Sequence, residues 1–211
     1  MSKPKPKPIL YNSKRGVVEF SNFFMPNEVP WTVEGQYQKE KHSSKIVKAF
    51  YNRLDRVRDP KEFVYFLKLL QPKKKNWTEK KERYWFVDAK TPLRGILAKL
   101  LSGVFSNPRR SNVVAEFLGI PVAEVVAQDP TFDKRKLRLM GKLMYRKFKH
   151  KDLRRKLLET GKRKLHEVPL RGKGNDWTYK PSTGFGGDLH GRILRKVRSE
   201  IVRRLKRRAE R

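Results

Sequence analysis

Trp31-Thr32-Val33-Glu34-Gly35-Gln36-Tyr37-Gln38-Lys39-Glu40-Lys41 has the composition of a helix start, and the other segments are read outward from it. A helix is expected to begin near Val33 and to run to about Leu54, with Tyr37, Ile46, Phe50 and Leu54 turned inward. Side chains three and four residues apart share one face of a helix. Glu34, Gln38 at i+4 and Lys41 at i+7 therefore fall together. A carboxylate, an amide and an ammonium on one side can bind and activate a polar ligand. The same three residues also make an ordinary solvated face carrying a charge pair.

Before this stretch, Ile9-Leu10-Tyr11 reads as a short strand and Val17-Val18-Glu19-Phe20 as a second apolar run. Val29-Pro30-Trp31 reads as a third extended piece. After it, Asp59-Pro60, Thr91-Pro92 and Asn107-Pro108 each mark a helix start, with a capping side chain followed by proline in the first turn. The first of these helices carries Phe63, Phe66, Leu67 and Leu70 as its stripe. The second carries Ile96, Leu97, Leu100, Leu101, Val104 and Phe105. Gly119 is placed to end the third in a left-handed conformation. Ala115, Gly119 and Val125 have the spacing of a helix-turn-helix, and equally of a plain helical hairpin. Trp77, Tyr84, Trp85 and Phe86 stand among lysines, a pattern shared by base-stacking surfaces and by small cores under a lysine coat.

A long basic helix is expected from Lys134 to about His150, with Leu137, Met140, Met144 and Phe148 on its apolar side. Asp152 would cap a continuation through Leu153, Leu157 and Leu158, stopped at Gly161. Leu165–Pro169 reads as extended. Residues 171–188 form a glycine-rich loop. The last helix places Leu189, Ile193, Val197, Ile201 and Leu205 at i+4 steps, with a basic outer side.

The net charge of +32 over 211 residues is the strongest global signal. Such self-repulsion opposes compaction, and a polyanionic partner removes it. Nucleic acid is the first candidate, through phosphate neutralisation and counterion release. Lys3, Lys5 and Lys7 in the Lys-Pro arm of residues 1–8, and Arg195, Arg203, Arg204, Arg207 and Arg208 on the last helix, are the expected phosphate contacts. An arm of alternating proline favours an extended polyproline conformation. No run is apolar and long enough to span a bilayer, and the Lys-Pro opening is not a secretory leader. With no cysteine, thiol chemistry and cysteine-held metals are excluded, and the four histidines have no metal-ligand spacing. No cofactor is expected. The setting expected is intracellular, or packaged in a virion or ribonucleoprotein.

Several pieces then combine. Tyr11, Phe20-Ser21-Asn22-Phe23, and Trp31 followed by Glu34, Gln38 and Lys41 resemble the opening of the NADAR, or YbiA-like, family. That opening is a tyrosine strand, a Ser-Asn-Phe turn and then Trp-Pro-Thr-x-Glu-His-Tyr-x-Gln-x-x-Lys. Leu139-Met140, Lys147-Phe148, Leu157-Leu158, Thr160-Gly161 and Leu165-His166-Glu167 follow the order of the family's second half. Asp176-Trp177, Gly184, Gly186, Asp188, Gly191 and Arg198 track its close. The resemblance covers about residues 9–54 and 134–202. Gly35 stands where the family has histidine, Gln36 where it has tyrosine, and Asp188 where it has asparagine.

The resemblance implies a mainly α fold with a few short strands (α+β). The expected organisation is a single NADAR-like domain over 9–202 with a helical insertion at 60–130, and a basic tail at 203–211. It implies N-glycosidase activity on ADP-ribose-modified or nucleotide-derived compounds. Glu34 would be the main catalytic carboxylate, with Glu167 as the second. Asn22, Gln38, Lys41, Trp177, Asp188, Gly184 and Gly186 would line the pocket. Breaking a ribose C1′–N bond builds positive charge at C1′, which a nearby carboxylate stabilises while a second group protonates the departing nitrogen. The alternative is a NADAR-fold structural protein without activity, binding nucleic acid within a virion or ribonucleoprotein.

Overall fold

The computed structural model describes residues 6–11, 16–22, 24, 31–70, 93–169, 175–184 and 186–211. Lys3 and Lys5, most of Val29–Trp31, the aromatic and lysine run of residues 76–86, the Thr91-Pro92 cap and residues 171–174 lie outside them. The described chain is mainly helical, with one two-stranded parallel sheet. It divides into two compact units, one formed by Met1–Asn22 with Met140–Arg211, the other by Phe23–Leu139.

The Phe23–Leu139 unit is a helical cluster. It holds α1 (Val33–Lys39), α2 (Lys45–Arg56), α3 (Pro60–Leu70), α4 (Leu93–Leu101) with a 3-10 turn after it, α5 (Pro108–Leu118) and α6 (Val122–Val126). One apolar core joins Val47, Phe50 and Leu54 of α2 to Phe63, Phe66 and Leu70 of α3, Leu97 and Leu101 of α4, and Val114 and Val125 beyond. The described residues of 60–130 thus share a core with α2. Each such large side chain, moved from water into this core, contributes roughly 1.5–3 kcal/mol before entropy is counted. The start signals at Asp59 and Asn107 act as expected. Asp59 Oδ1 accepts from the Lys61 amide at 2.9 Å, and Asn107 Oδ1 from the Arg110 amide at 3.3 Å. Gly119 closes α5 at φ 65°, a left-handed conformation that glycine takes without steric cost. α6 is five residues long, about one and a half turns, so α5 and α6 form a short hairpin and not a groove-reading pair.

The helix expected from Val33 to Leu54 is broken. α1 stops at Lys39, and residues 40–44 turn before α2 starts at Lys45. The break has a local cause. Ser44 caps α2 by accepting from the Val47 amide at 3.3 Å, and its hydroxyl donates to Glu124 at 2.6 Å. The extended residues between the helices are tied to the end of α6: Ser43 N donates to Ala127 O at 3.1 Å and Asp129 N to Lys41 O at 2.8 Å. Lys41 therefore leaves the helical register that placed it at i+7. Ile46, expected inward, is 45% exposed.

The division between the units falls inside α7 (Phe132–Lys147). The Met1–Asn22 and Met140–Arg211 unit contains β1 (Ile9–Tyr11), a 3-10 turn at Val18–Phe20, the second half of α7, α8 (Lys151–Glu159), β2 (Leu165–Glu167) and α9 (Leu189–Ala209). β1 and β2 pair in parallel, with Ile9 opposite Leu165 and Tyr11 opposite Glu167. α9 packs on β2 and α8, burying Ile193, Leu194, Val197 and Ile201. Met140, Met144 and Phe148 are buried as the stripe requires, but Leu137 is exposed. Asp152 lies in the first turn of α8, whose cap position is held by His150. Gly161 ends this segment at φ 57°.

Candidate functional site

Thr32 caps α1, accepting from the Gly35 amide at 2.9 Å. The Thr32 hydroxyl donates to Asp55 Oδ1 and the Gln36 amide to Asp55 Oδ2, each at 3.0 Å. Asp55, on α2, is buried against this first turn. Its carboxylate fills the space a side chain at position 35 would take. A Cβ on Gly35 would meet Asp55 Oδ1 at 2.2 Å.

Glu34, in the same turn, is only 3% exposed. Its Oε1 accepts from Gln38 Nε2 at 2.7 Å and lies 3.5 Å from Lys99 Nζ of α4. The i+4 pairing of acid and amide is therefore present. Gln38 Oε1 is buried with no hydrogen-bond partner. Lys41, displaced from the helix, holds its ammonium 5.6 Å from the centre of the Tyr37 ring and 5.9 Å from that of Phe132. Burial lowers the Lys41 pKa, the Lys99 and Lys136 charges add to this, and Glu34 and Asp133 oppose it. Burial first, and Glu34 second, raise the pKa of Tyr37 and of Tyr51.

The other unit gathers a second polar cluster around β2 and the start of α9. Asp188 precedes α9 in a left-handed conformation, φ 52°. Its Oδ2 accepts from His166 Nδ1 at 2.9 Å and from Arg195 Nη1 at 3.0 Å. Its Oδ1 is buried without a partner. Glu167 Oε2 lies 2.8 Å from His190 Nδ1, and the Tyr11 hydroxyl lies 3.1 Å from the same nitrogen. His190 is 1% exposed and its Nε2 has no partner. Tyr11 is buried, and burial with the Glu167 and Asp188 charges pushes its pKa well above the usual range. Lys147 is also fully buried, donating to Ser21 O at 2.5 Å, and burial holds its pKa well below that of a free lysine.

The loop before α9 is fixed by its own turns. Asn175 Oδ1 accepts from the Trp177 amide at 2.9 Å and the Thr178 amide at 3.0 Å. The His190 amide donates to Trp177 O at 3.2 Å. Trp177 is half-buried, and so is Asn22 in the turn after Phe20. Gly186, at φ 115°, lies against Thr178 O, which a Cβ would meet at 2.0 Å. Gly184 is also left-handed, and exposed.

Of the residues singled out from the sequence, Glu34, Gln38 and Lys41 lie in the Phe23–Leu139 unit. Asn22, Glu167, Trp177, Gly184, Gly186 and Asp188 lie in the other. Within the first set the structure joins Glu34 to Gln38. Within the second it gathers Glu167 and Asp188 around two histidines. Lys7, Arg203, Arg204, Arg207 and Arg208 are exposed. Arg203 and Arg204 both pair with Glu200. Arg195 is half-buried and is occupied by Asp188 and by Leu165 O, the latter at 2.7 Å. Sequence reasoning missed Asp55, Lys99, His166 and His190. The two histidines had a signal, since each lies within two residues of a carboxylate already singled out. Asp55 and Lys99 had none. Among the described residues no group of three or more His, Asp or Glu is placed to hold a metal ion, and no helix is long and apolar enough to cross a membrane.

Comparison of the chain with family models, with curated proteins and with solved structures returned no match.

Proposed function

We propose that this chain is an N-glycosidase of the NADAR type, hydrolysing a ribose C1′–N bond in an ADP-ribosylated or nucleotide-derived substrate close to nucleic acid. The resemblance rests on the order of motifs over two separated blocks. The observation that carries the activity is the burial of Glu34. Removing a carboxylate from water costs several kcal/mol, and the fold holds Glu34 at 3% exposure with the Gln38 amide donating to it and Lys99 beside it. Charged groups held at such a cost concentrate at working sites.

In this reading Glu34 faces C1′ and stabilises the oxocarbenium charge as the C1′–N bond breaks. The bond's electron pair leaves on nitrogen, which takes a proton from a general acid. Water adds to C1′ and gives its proton to Glu34. Gln38 orients the Glu34 carboxylate. Lys41 holds a substrate phosphate as a point charge.

The test is release of free sugar from ADP-ribosylated DNA, NAD-derived compounds and riboflavin-pathway intermediates. Glu34→Gln preserves shape and removes the charge, and is expected to lower release by about a hundredfold to a thousandfold, the scale of losing one electrostatic stabiliser. Unchanged release in the variant overturns the assignment. The second reading, an inactive nucleic-acid-binding protein of a virion or ribonucleoprotein, is favoured by the net charge of +32. A wild-type chain that releases no sugar from any of these substrates selects it.

A further inference from the structure

The glycosidase reading leaves most of the positive charge unused, and one part of it is shaped. Between the end of α7, α8 and the last turns of α9 lies a groove of about 340 Å³. Lys149, Arg154, Arg204 and Arg208 line it, with Tyr145 and Leu205 among its apolar walls, and none of its lining residues is acidic. Arg204 is held in place: its guanidinium lies 4.8 Å from the centre of the Tyr145 ring and its Nε donates to Glu200 at 2.7 Å. Lys149, Arg154 and Arg208 have no acidic partner among the described residues. Like charges brought together without counter-charges repel, so the arrangement is stabilised by an anion.

The anion is narrowed by what lies beside the cations. Leu205 is 38% exposed and Tyr145 half-buried, so apolar surface is open next to four positive charges. A free inorganic anion would leave that surface in water. A nucleic-acid duplex keeps its base faces stacked inside and offers phosphate, sugar and base edges, not a flat base face to lie on this surface. A single strand presents phosphates and unstacked base faces together, which is the combination that cationic and aromatic grooves bind. The volume is at the low end for a small-molecule pocket, suited to about one nucleotide at a time. Arg192, Lys196 and Arg203 line a second, more open recess on α9, which also holds Glu200.

We propose that this groove is a binding site for single-stranded nucleic acid, with Lys149, Arg154 and Arg208 contacting phosphates and the Arg204–Tyr145 stack supporting a base. The proposal rests on reading the charge as a polyanion surface and does not need the glycosidase activity.

The experiment is anisotropy titration of the full chain with labelled oligo(dT), oligo(U) and a duplex, each of about 12 nucleotides or base pairs, between ~50 and ~200 mM salt. The triple variant Lys149→Ala/Arg154→Ala/Arg208→Ala is compared with Lys61→Ala/Lys68→Ala/Arg109→Ala, which removes the same charge elsewhere. The groove variant is expected to bind single strands about tenfold or more weakly, and its salt slope to fall by about 2, the value for three lost phosphate contacts. The control is expected to lose less than about threefold. Arg208→Ala alone, at an exposed site near the end of α9, repeats the test with the least risk to folding and should lower the slope by about 0.7. Equal losses in groove variant and control overturn the proposal, as does a duplex bound as tightly as either single strand. So does a groove variant that loses binding to phosphatidylserine vesicles while keeping the oligonucleotides. Since Glu34 is untouched, a failure here is distinct from a failure of sugar release.

Discussion

At the scale of single residues, the Gly35–Asp55 match is the most informative feature. A Cβ at position 35 has no room unless the Asp55 carboxylate moves, and that carboxylate is buried and bonded to Thr32 and Gln36. Gly35→Ala would normally stabilise a helix by about 0.5–1 kcal/mol. Here it is expected to destabilise by roughly 1–3 kcal/mol through overpacking. In Asp55→Ala the clash disappears, so adding Gly35→Ala to that background should cost nothing further. Urea unfolding of the four proteins closes the cycle, and additive costs would show that the two positions do not compete for one space. Glu34 was visible in the sequence because its partner is local: an acid and an amide at i and i+4 meet on any helix. Asp55 was not, because a carboxylate 20 residues away declares nothing about where it will fold back.

At the scale of elements, most helices were legible because their ends carry chemistry. Asp59, Asn107 and Gly119 act through side-chain caps or a left-handed turn that composition announces. The break between α1 and α2 was equally encoded, in Ser44, but apolar spacing continued across it and hid the cap. The join is held by His42. Its Nδ1 lies 3.1 Å from Val125 O and its Nε2 3.1 Å from the Tyr51 hydroxyl, and its ring stacks on Phe105. A neutral ring suits both bonds, donating to the carbonyl and accepting from the hydroxyl. Burial, with Lys41 and Lys48 adding, lowers the His42 pKa to about 4 despite the Val125 carbonyl. In the unfolded chain the ring titrates near 6.5. Between those values the unfolded state binds a proton that the folded state refuses, so stability falls as the pH falls through that window. The loss amounts to about 3 kcal/mol by pH 4. His42→Phe should start less stable and show a flatter profile from pH 6.5 to 4 in chemical denaturation. A slope equal to that of the wild type would assign the acid sensitivity elsewhere.

For the whole molecule, the charge of +32 dominates. Each unit must compact against its own repulsion. Surface charges interact over about 10 Å at 0.1 M salt and far less at 1 M. Raising sodium chloride from ~0.02 to ~0.5 M is therefore expected to raise Tm by several degrees. An unchanged Tm would mean that the cations lie too far apart, or are too well paired, to strain the fold. Composition alone made this property readable. It did not reveal the division into two units, because apolar runs near residues 20 and 140 look no different from those beside them.

The parallel pairing of Tyr11 with Glu167 has a consequence for the chain as it is made. The two strands are separated by 156 residues, and every helix of the Phe23–Leu139 unit is synthesised between them. At roughly 5–20 residues per second, β1 waits about 8–30 seconds for its partner. During that interval the helical unit has all of its own sequence and can condense, while the Tyr11 strand keeps an open edge. The second unit to be completed is thus the one whose sequence begins first, and its short leading strand and lysine-rich surroundings keep that waiting edge from joining another chain.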